Sequence, residues 1–179
     1  MNEIEVRFLD IDVTSLQKKL DSVGAKKLSE GMFEEWLYAK PEWKSFSGRV
    51  RIRKDGERVQ VAYKETRQET SKGNIEIEFE VSDVKAAQEF LEKMGLTDPR
   101  HQQKRRISYK LDGVGIDIDF WPKIPPYVEI EAPTLKEIET VARKVGLDMK
   151  NVCNLDALQV IQQVYHVDLS GVKEYIFDK

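Results

Sequence analysis

From residue 3 to residue 8 the chain alternates charge and hydrocarbon, with Glu3, Glu5 and Arg7 set against Ile4, Val6 and Phe8. A period of two is the signature of a strand with one apolar face. The alternation returns at 48–54, 58–65, 74–81, 104–111, 114–121 and 127–132, and Trp36-Leu37-Tyr38 adds a short strand, which makes eight. Asp55-Gly56 and Asp112-Gly113 are hairpin turn signals that join neighbouring strands as antiparallel pairs. Between the strands, Val13, Leu16, Leu20 and Val23 recur at helical spacing, with Asp12 as cap and Gly24 as stop. Further helices are predicted at 84–94, after Ser82 or Asp83 and before Gly95, at 135–145 and at 155–164. The expected class is α+β.

The polar faces of these strands are unusual. Antiparallel sheets often wet one face, and such a face needs no function. Here, though, the positions are held by Glu, Asp and Arg, and the signs sort by strand. Acids dominate the strands of Glu3, Glu76, Asp117 and Glu129, and bases those of Arg49, Lys64 and Arg106. The acids are Glu3, Glu5, Glu76, Glu78, Glu80, Asp117, Asp119, Glu129 and Glu131; the bases are Arg7, Arg49, Arg51, Arg53, Arg58, Lys64, Lys104 and Arg106. Eight antiparallel strands suffice to close a barrel whose apolar outside the helices cover, which puts the charges in the lumen. Charges withdrawn from water must be paired or must bind ions. Clustered guanidinium forks match phosphate oxygens, and clustered carboxylates suit a hard divalent cation such as Mg²⁺ or Mn²⁺. Together they describe a site for a metal-bound polyphosphate.

Composition narrows this further. The chain has 179 residues, 40% hydrophobic and 34% charged, with a formal net charge of -3, which predicts one domain over 1–179 without the basic excess a nucleic-acid surface needs. No apolar run approaches membrane-spanning length and charges begin at Glu3, so a cytoplasmic chain without a signal peptide is expected. The lone Cys153 excludes an internal disulfide and a cysteine zinc cluster. His101, His166, Trp36, Trp43 and Trp121 are read as packing or surface residues.

In order along the chain, Glu3-x-Glu5-x-Arg7, Arg49-Val50-Arg51, Lys64, Glu76-Ile77-Glu78, Lys104 with Arg106, and Glu129-Ile130-Glu131 resemble the motifs of the CYTH or triphosphate tunnel metalloenzyme family, named from class IV adenylyl cyclase and thiamine triphosphatase. The resemblance implies an eight-stranded antiparallel tunnel that binds triphosphate compounds with one or two divalent metals. It implies metal ligands among Glu3, Glu5, Asp117, Asp119, Glu129 and Glu131, phosphate contacts from Arg49, Arg51, Arg53, Lys64, Lys104 and Arg106, and a catalytic pair of Arg7 and Glu5. One position departs from the pattern, since the family's lysine in the first motif is Arg7 here. A guanidinium stays charged and cannot accept a proton, so activation of water falls to the metal. The leading expectation is metal-dependent hydrolysis of inorganic tripolyphosphate or a nucleoside triphosphate, by a monomer or homodimer. ATP and thiamine triphosphate are the organic candidates. The alternatives are a class IV adenylyl cyclase making cyclic AMP from ATP and a non-catalytic sensor of polyphosphate or nucleotide.

Overall fold

The computed structural model describes residues 4–40, 42–43, 48–65 and 75–178. Its strands are β1 (Ile4–Phe8), β2 (Lys26–Tyr38), β3 (Arg49–Asp55), β4 (Arg58–Glu65), β5 (Ile75–Val81), β6 (Arg100–Leu111), β7 (Val114–Phe120), β8 (Tyr127–Ala132), β9 (Val152–Cys153) and β10 (Glu174–Tyr175). The helices are α1 (Val13–Ser22), α2 (Val84–Lys93), α3 (Leu135–Lys144) and the short α4 (Ala157–Gln159). Among the described residues no helix is long and apolar enough to cross a membrane.

The strands form one sheet in the order β5-β4-β3-β2-β6-β7-β8-β1-β9, with β10 beside β6. Every ladder with a resolved register is antiparallel except β10 on β6, which is parallel. The class is therefore α+β, as expected; among the described residues the sheet has ten strands, nine along one path and β10 off it, where eight are expected. The extra strands β9 and β10 have two residues each, too few for a period to show. β9 also takes the edge of β1 away from β8, at Arg7 and Phe8. Two other strands are longer than their apolar pattern: β2 begins at Lys26 and β6 at Arg100, through stretches whose polar residues hide the alternation. The helix expected at 155–164 is a single capped turn, Ala157–Gln159, that widens into a π-type turn over Val160–Val164.

The chain packs as two compact units, Met1–Gly31 with Arg105–Ser170, and Met32–Lys104 with Gly171–Lys179. In the first, the apolar faces of β1, β6, β7 and β8 bury Val6, Phe8, Ile107, Ile116, Ile118, Val128 and Ile130 against Leu16 and Leu20 of α1 and Ile138 and Val141 of α3. Both helices start where the chain supplies a cap: Asp12 accepts from the Ser15 amide, and Thr134 and Glu137 form a reciprocal capping box. The β6–β7 hairpin turns at Asp112 and Gly113, both in the left-handed region (φ 52° and 85°), as its two-residue turn requires. In the second unit, Val50 and Ile52 of β3 and Val59 and Val61 of β4 pack on Tyr38 and on Ala87 and Leu91 of α2, which Asp83 caps. In both units the charged residues share the face away from these cores, while on β5 the apolar-face residues Ile77 and Phe79 stay exposed.

Candidate functional residues on two charged sheet faces

In the first unit the register sets the charged face. Residues directly opposite in an antiparallel ladder point to the same side. Glu5 lies opposite Glu131, Arg7 opposite Glu129, Glu129 opposite Asp117, and Asp119 opposite Arg106. Like charges placed this way repel, and two arginines relieve them. Arg106 is the hub: its Nε donates to Asp119 Oδ1 at 2.5 Å and its Nη2 to Asp119 Oδ2 at 2.6 Å, a bidentate fork, while Asp117 and Glu129 also accept from it. Asp119 is fully buried in this clasp. Arg7 is almost as enclosed. It contacts Glu5, lies 2.7 Å from Glu129 Oε1, and donates from Nη1 to the Leu155 carbonyl at 2.7 Å. Its Nε is buried without an acceptor among the described residues.

The charges of this face do not balance. Five carboxylates (Glu5, Asp117, Asp119, Glu129, Glu131) meet two guanidiniums among the described residues. The carboxyl of Asp117 is raised above its ordinary range, first by burial and then by the nearby Asp119 and Glu129, despite Arg106 and a hydrogen bond with Ser108. Arg106 responds in the opposite sense: burial favours its neutral form, but Asp119, Glu129 and Asp117 hold its proton more tightly than usual. Tyr127, buried beneath Glu129 and Asp119, is likewise pushed well above its ordinary value by burial and then by those acids, and its hydroxyl accepts from Trp121 Nε1 at 2.8 Å. Among the described residues no three His, Cys, Asp or Glu side chains converge as a ready-made metal shell, because Asp117, Asp119 and Glu129 are turned onto Arg106. The donor set nonetheless fits a hard dication. It is all oxygen and carries excess negative charge, and the opposed pair Glu5 and Glu131 lies toward its exposed side. Glu3 lies outside the described residues.

The second unit carries the opposite sign. Arg49, Arg51 and Arg53 alternate along β3; Lys64 of β4 is opposite Arg49, and Glu76 of β5 is opposite Lys64. Lys64 Nζ sits 2.8 Å from Glu76 Oε1, and Arg51 reaches Glu78 at 3.5 Å. Burial lowers the proton affinity of Lys64, and Arg51 lowers it further; Arg51 itself is lowered by burial and by Arg53. Glu76 is held below its ordinary range: burial alone would raise it, and Lys64, Arg51 and Arg53 outweigh that. Lys104 is buried, and its ammonium and the Arg53 guanidinium both lie over the Phe33 ring, at 5.8 and 4.9 Å.

Of the residues expected on phosphate, Arg49, Arg51, Arg53, Lys64 and Lys104 are thus in one unit, and Arg106 is engaged with carboxylates in the other. Two residues escaped the sequence reading. Glu35 is 3% exposed and accepts from Arg53 Nε and Gln102 Nε2, both at 2.8 Å. No periodicity marks them, since acids sit on both faces of β2 at Glu34 and Glu35 and the start of β6 is wholly polar. His101 stacks on Trp36 (ring centroids 5.0 Å apart) and contacts Glu34, a packing role as expected.

A family model, the CYTH domain, matches residues 1–162. The chain belongs to the CYTH domain family. No curated protein matches it. Among solved structures this CYTH chain is similar to the PH1012 protein of Pyrococcus horikoshii, at 27% identity and TM-score 0.73, with 88% of this chain and 98% of that one covered. A candidate adenylate cyclase of Vibrio parahaemolyticus superposes with TM-score 0.76 at 13% identity, covering 90% and 98%. A candidate adenylyl cyclase from Hippeastrum with a dominant triphosphatase activity superposes with TM-score 0.59 at 14% identity, covering 90% and 95%. At such identities the last two speak for the CYTH fold alone.

Proposed function

We propose that this CYTH chain is a divalent-metal-dependent hydrolase of triphosphates, taking inorganic tripolyphosphate or a nucleoside triphosphate. The observation that carries the reading is the cation face of the second unit, where Arg49, Arg51 and Arg53 alternate along β3 and Lys64 lies opposite Arg49, while burial and neighbouring cations weaken the hold of Arg51 and Lys64 on their protons. Cations held this way are relieved by an anion with several oxygens. Guanidinium forks supply paired donors to such an anion, and lysine supplies a point charge. The acid face of the first unit asks for the complementary ion. Glu5 and Glu131, with Asp117, Asp119 and Glu129 behind them, would hold Mg²⁺ or Mn²⁺, which when bound supplies Lewis-acid neutralisation of a phosphoryl oxygen.

The chain's own contribution is positioning and charge. Arg49, Arg51, Arg53, Lys64 and Lys104 bind and neutralise phosphate oxygens, which is most of what phosphoryl transfer requires. Arg106 fixes Asp117, Asp119 and Glu129 in one geometry. Arg7, permanently protonated, orients Glu5 and Glu129 and takes no proton from water.

The test offers the purified protein tripolyphosphate, ATP and thiamine triphosphate in parallel, with Mg²⁺ and with Mn²⁺. Phosphate release that requires the metal supports the reading. Cyclic AMP from ATP would make it a cyclase, and binding without turnover a sensor. Glu131→Gln keeps the side-chain shape and removes one charge, so turnover at limiting metal should fall while the fold is retained. Undiminished turnover in that variant would remove the acid face from the mechanism.

A further inference from the structure

We infer that Glu35 is a positioning residue, whose buried carboxylate sets the spacing of Arg51 and Arg53 and with it the geometry in which this face meets phosphate. The inference rests on reading that face as a triphosphate site. One oxygen, Oε1, takes the Arg53 Nε–H at 2.8 Å and lies 3.9 Å from Arg51 Nε; the other, Oε2, takes the Gln102 amide at 2.8 Å. Gln102 is 2% exposed and is itself approached by Arg100 Nε at 3.4 Å, so the carboxylate is anchored from β6 as well as from its own strand. Glu35 sits directly opposite Arg53 across the β2–β3 ladder. Two residues back on the same face, Phe33 forms a floor under Arg53. Although fully buried, Glu35 stays ionised well below the ordinary carboxylate range: burial opposes the charge, and Arg53, Lys104, Arg51 and the Gln102 hydrogen bond outweigh it.

By simple electrostatics this acid is misplaced, because a negative charge among phosphate-binding cations weakens the pull on an anion. That gives the two possible roles opposite signs. A mere counter-ion would oppose the ligand, and its removal would tighten binding. A positioning residue holds rotamer-rich side chains in their binding geometry, and its removal would make the ligand immobilise them itself.

The experiment measures tripolyphosphate binding with Mg²⁺ by calorimetry, and hydrolysis kinetics, for the parent, Glu35→Gln and Glu35→Asp. The expected result is affinity about ten- to a hundredfold weaker in both variants, the cost of re-immobilising two or three released side chains. The rise in KM should exceed the fall in kcat. Glu35→Asp retains the charge but not the reach, so it should not rescue. Tighter binding by Glu35→Gln, or parent-like behaviour of Glu35→Asp, would overturn the inference. A second readout needs neither variant nor turnover: the Nε–H resonances of Arg51 and Arg53 in the unliganded parent. Slow solvent exchange and restricted motion support positioning, and free rotation refutes it. Should the parent fail to bind tripolyphosphate, the triphosphate reading falls, while these resonances still decide what Glu35 does.

Discussion

Replacing Arg106 with methionine keeps an unbranched apolar stem and removes the guanidinium with its charge. In the parent, Asp119 is fully buried and receives two guanidinium hydrogen bonds, at 2.5 and 2.6 Å, from this one residue. Asp117 and Glu129 depend on it as well, and Glu129 keeps Arg7 as its other cation. Breaking a buried ion pair by removing one partner costs about 3–5 kcal/mol, because a desolvated charge is left uncompensated. In a chain of this size each kcal/mol moves the midpoint by about 2–4 °C, so a fall of about 6–20 °C is expected. Calorimetric melting at neutral pH without divalent metal measures it. A double-mutant cycle with Asp119→Asn isolates the portion belonging to that contact. The circular dichroism spectrum should be unchanged below the transition, since β6 and β7 keep their apolar contacts. A loss under about 1 kcal/mol, the value of an exposed pair, would show that water reaches the clasp and that the acids do not depend on Arg106.

Asp117→Asn should stabilise the metal-free protein while weakening metal binding. The raised folded-state pKa means that the folded chain binds this proton more readily than the unfolded one, so the ionised group weakens the fold at neutral pH and the penalty fades as pH falls through the window just above 3.8. Melting should rise at pH 7, and by less near pH 4; no gain at pH 7 would contradict it. Glu35 has the opposite sign: with its pKa depressed, its stabilisation is complete above 4.5 and is lost as pH falls below that value. Urea titrations of the parent and Glu35→Gln should therefore converge below about pH 4.5, and a constant gap would show that the carboxylate is not the source. Arg7→Ala should cost about 1.5–3 kcal/mol, the value of hydrogen bonds to charged groups, measurable by urea unfolding. Arg7→Lys should cost less, since it keeps the charge beside Glu5 and Glu129 and removes the orphaned Nε; equal costs would show that the charge itself is not what matters.

Alternation made most of this fold legible. Where one face of a strand is apolar, as at Val6–Phe8 or Ile116–Ile118, the period of two exposes the strand and also tells which charged residues share a side. That is why Glu5, Arg7, Asp117, Asp119, Glu129 and Glu131 could be grouped before any register was known. What the period cannot tell is who meets whom across strands. Arg106 and Arg51 look alike in sequence, each an arginine followed by isoleucine, yet Arg106 is clasped bidentately by Asp119 while Arg51, beside Arg53 and Lys64, has only longer contacts of 3.5 to 3.9 Å to Glu78, Glu35 and Glu76. Register decides that, and register depends on turns and neighbours far away in the chain. Glu35 stayed hidden for a different reason. Its strand carries Trp36 and Tyr38 on one side and Phe33 and Leu37 on the other, so neither face reads as polar.

The two units solve one physical problem with opposite signs. Like charges crowded on a half-buried surface repel, and each unit seats ions of the other kind among them. On the acid face these are Arg106, with Asp117, Asp119 and Glu129, and Arg7, with Glu5 and Glu129; on the cation face they are Glu35, nearly out of water beside Arg53 and Arg51, and the more exposed Glu76 and Glu78. Burial first, and then like-charged neighbours, raise Asp117 and lower Arg51 and Lys64 in spite of these counter-ions. The remaining charge is what a ligand of opposite sign can satisfy. Strengthening the counter-ion should therefore stabilise the unliganded protein and weaken its ligand binding together. A second carboxylate on the cation face tests the binding half of this: Gln60→Glu, opposite Arg53 in the ladder, gives up the hydrogen bond that Gln60 donates to Glu78, so the melting midpoint carries both effects, but tripolyphosphate affinity should fall. If affinity rose, the residual charge would not be the source of binding.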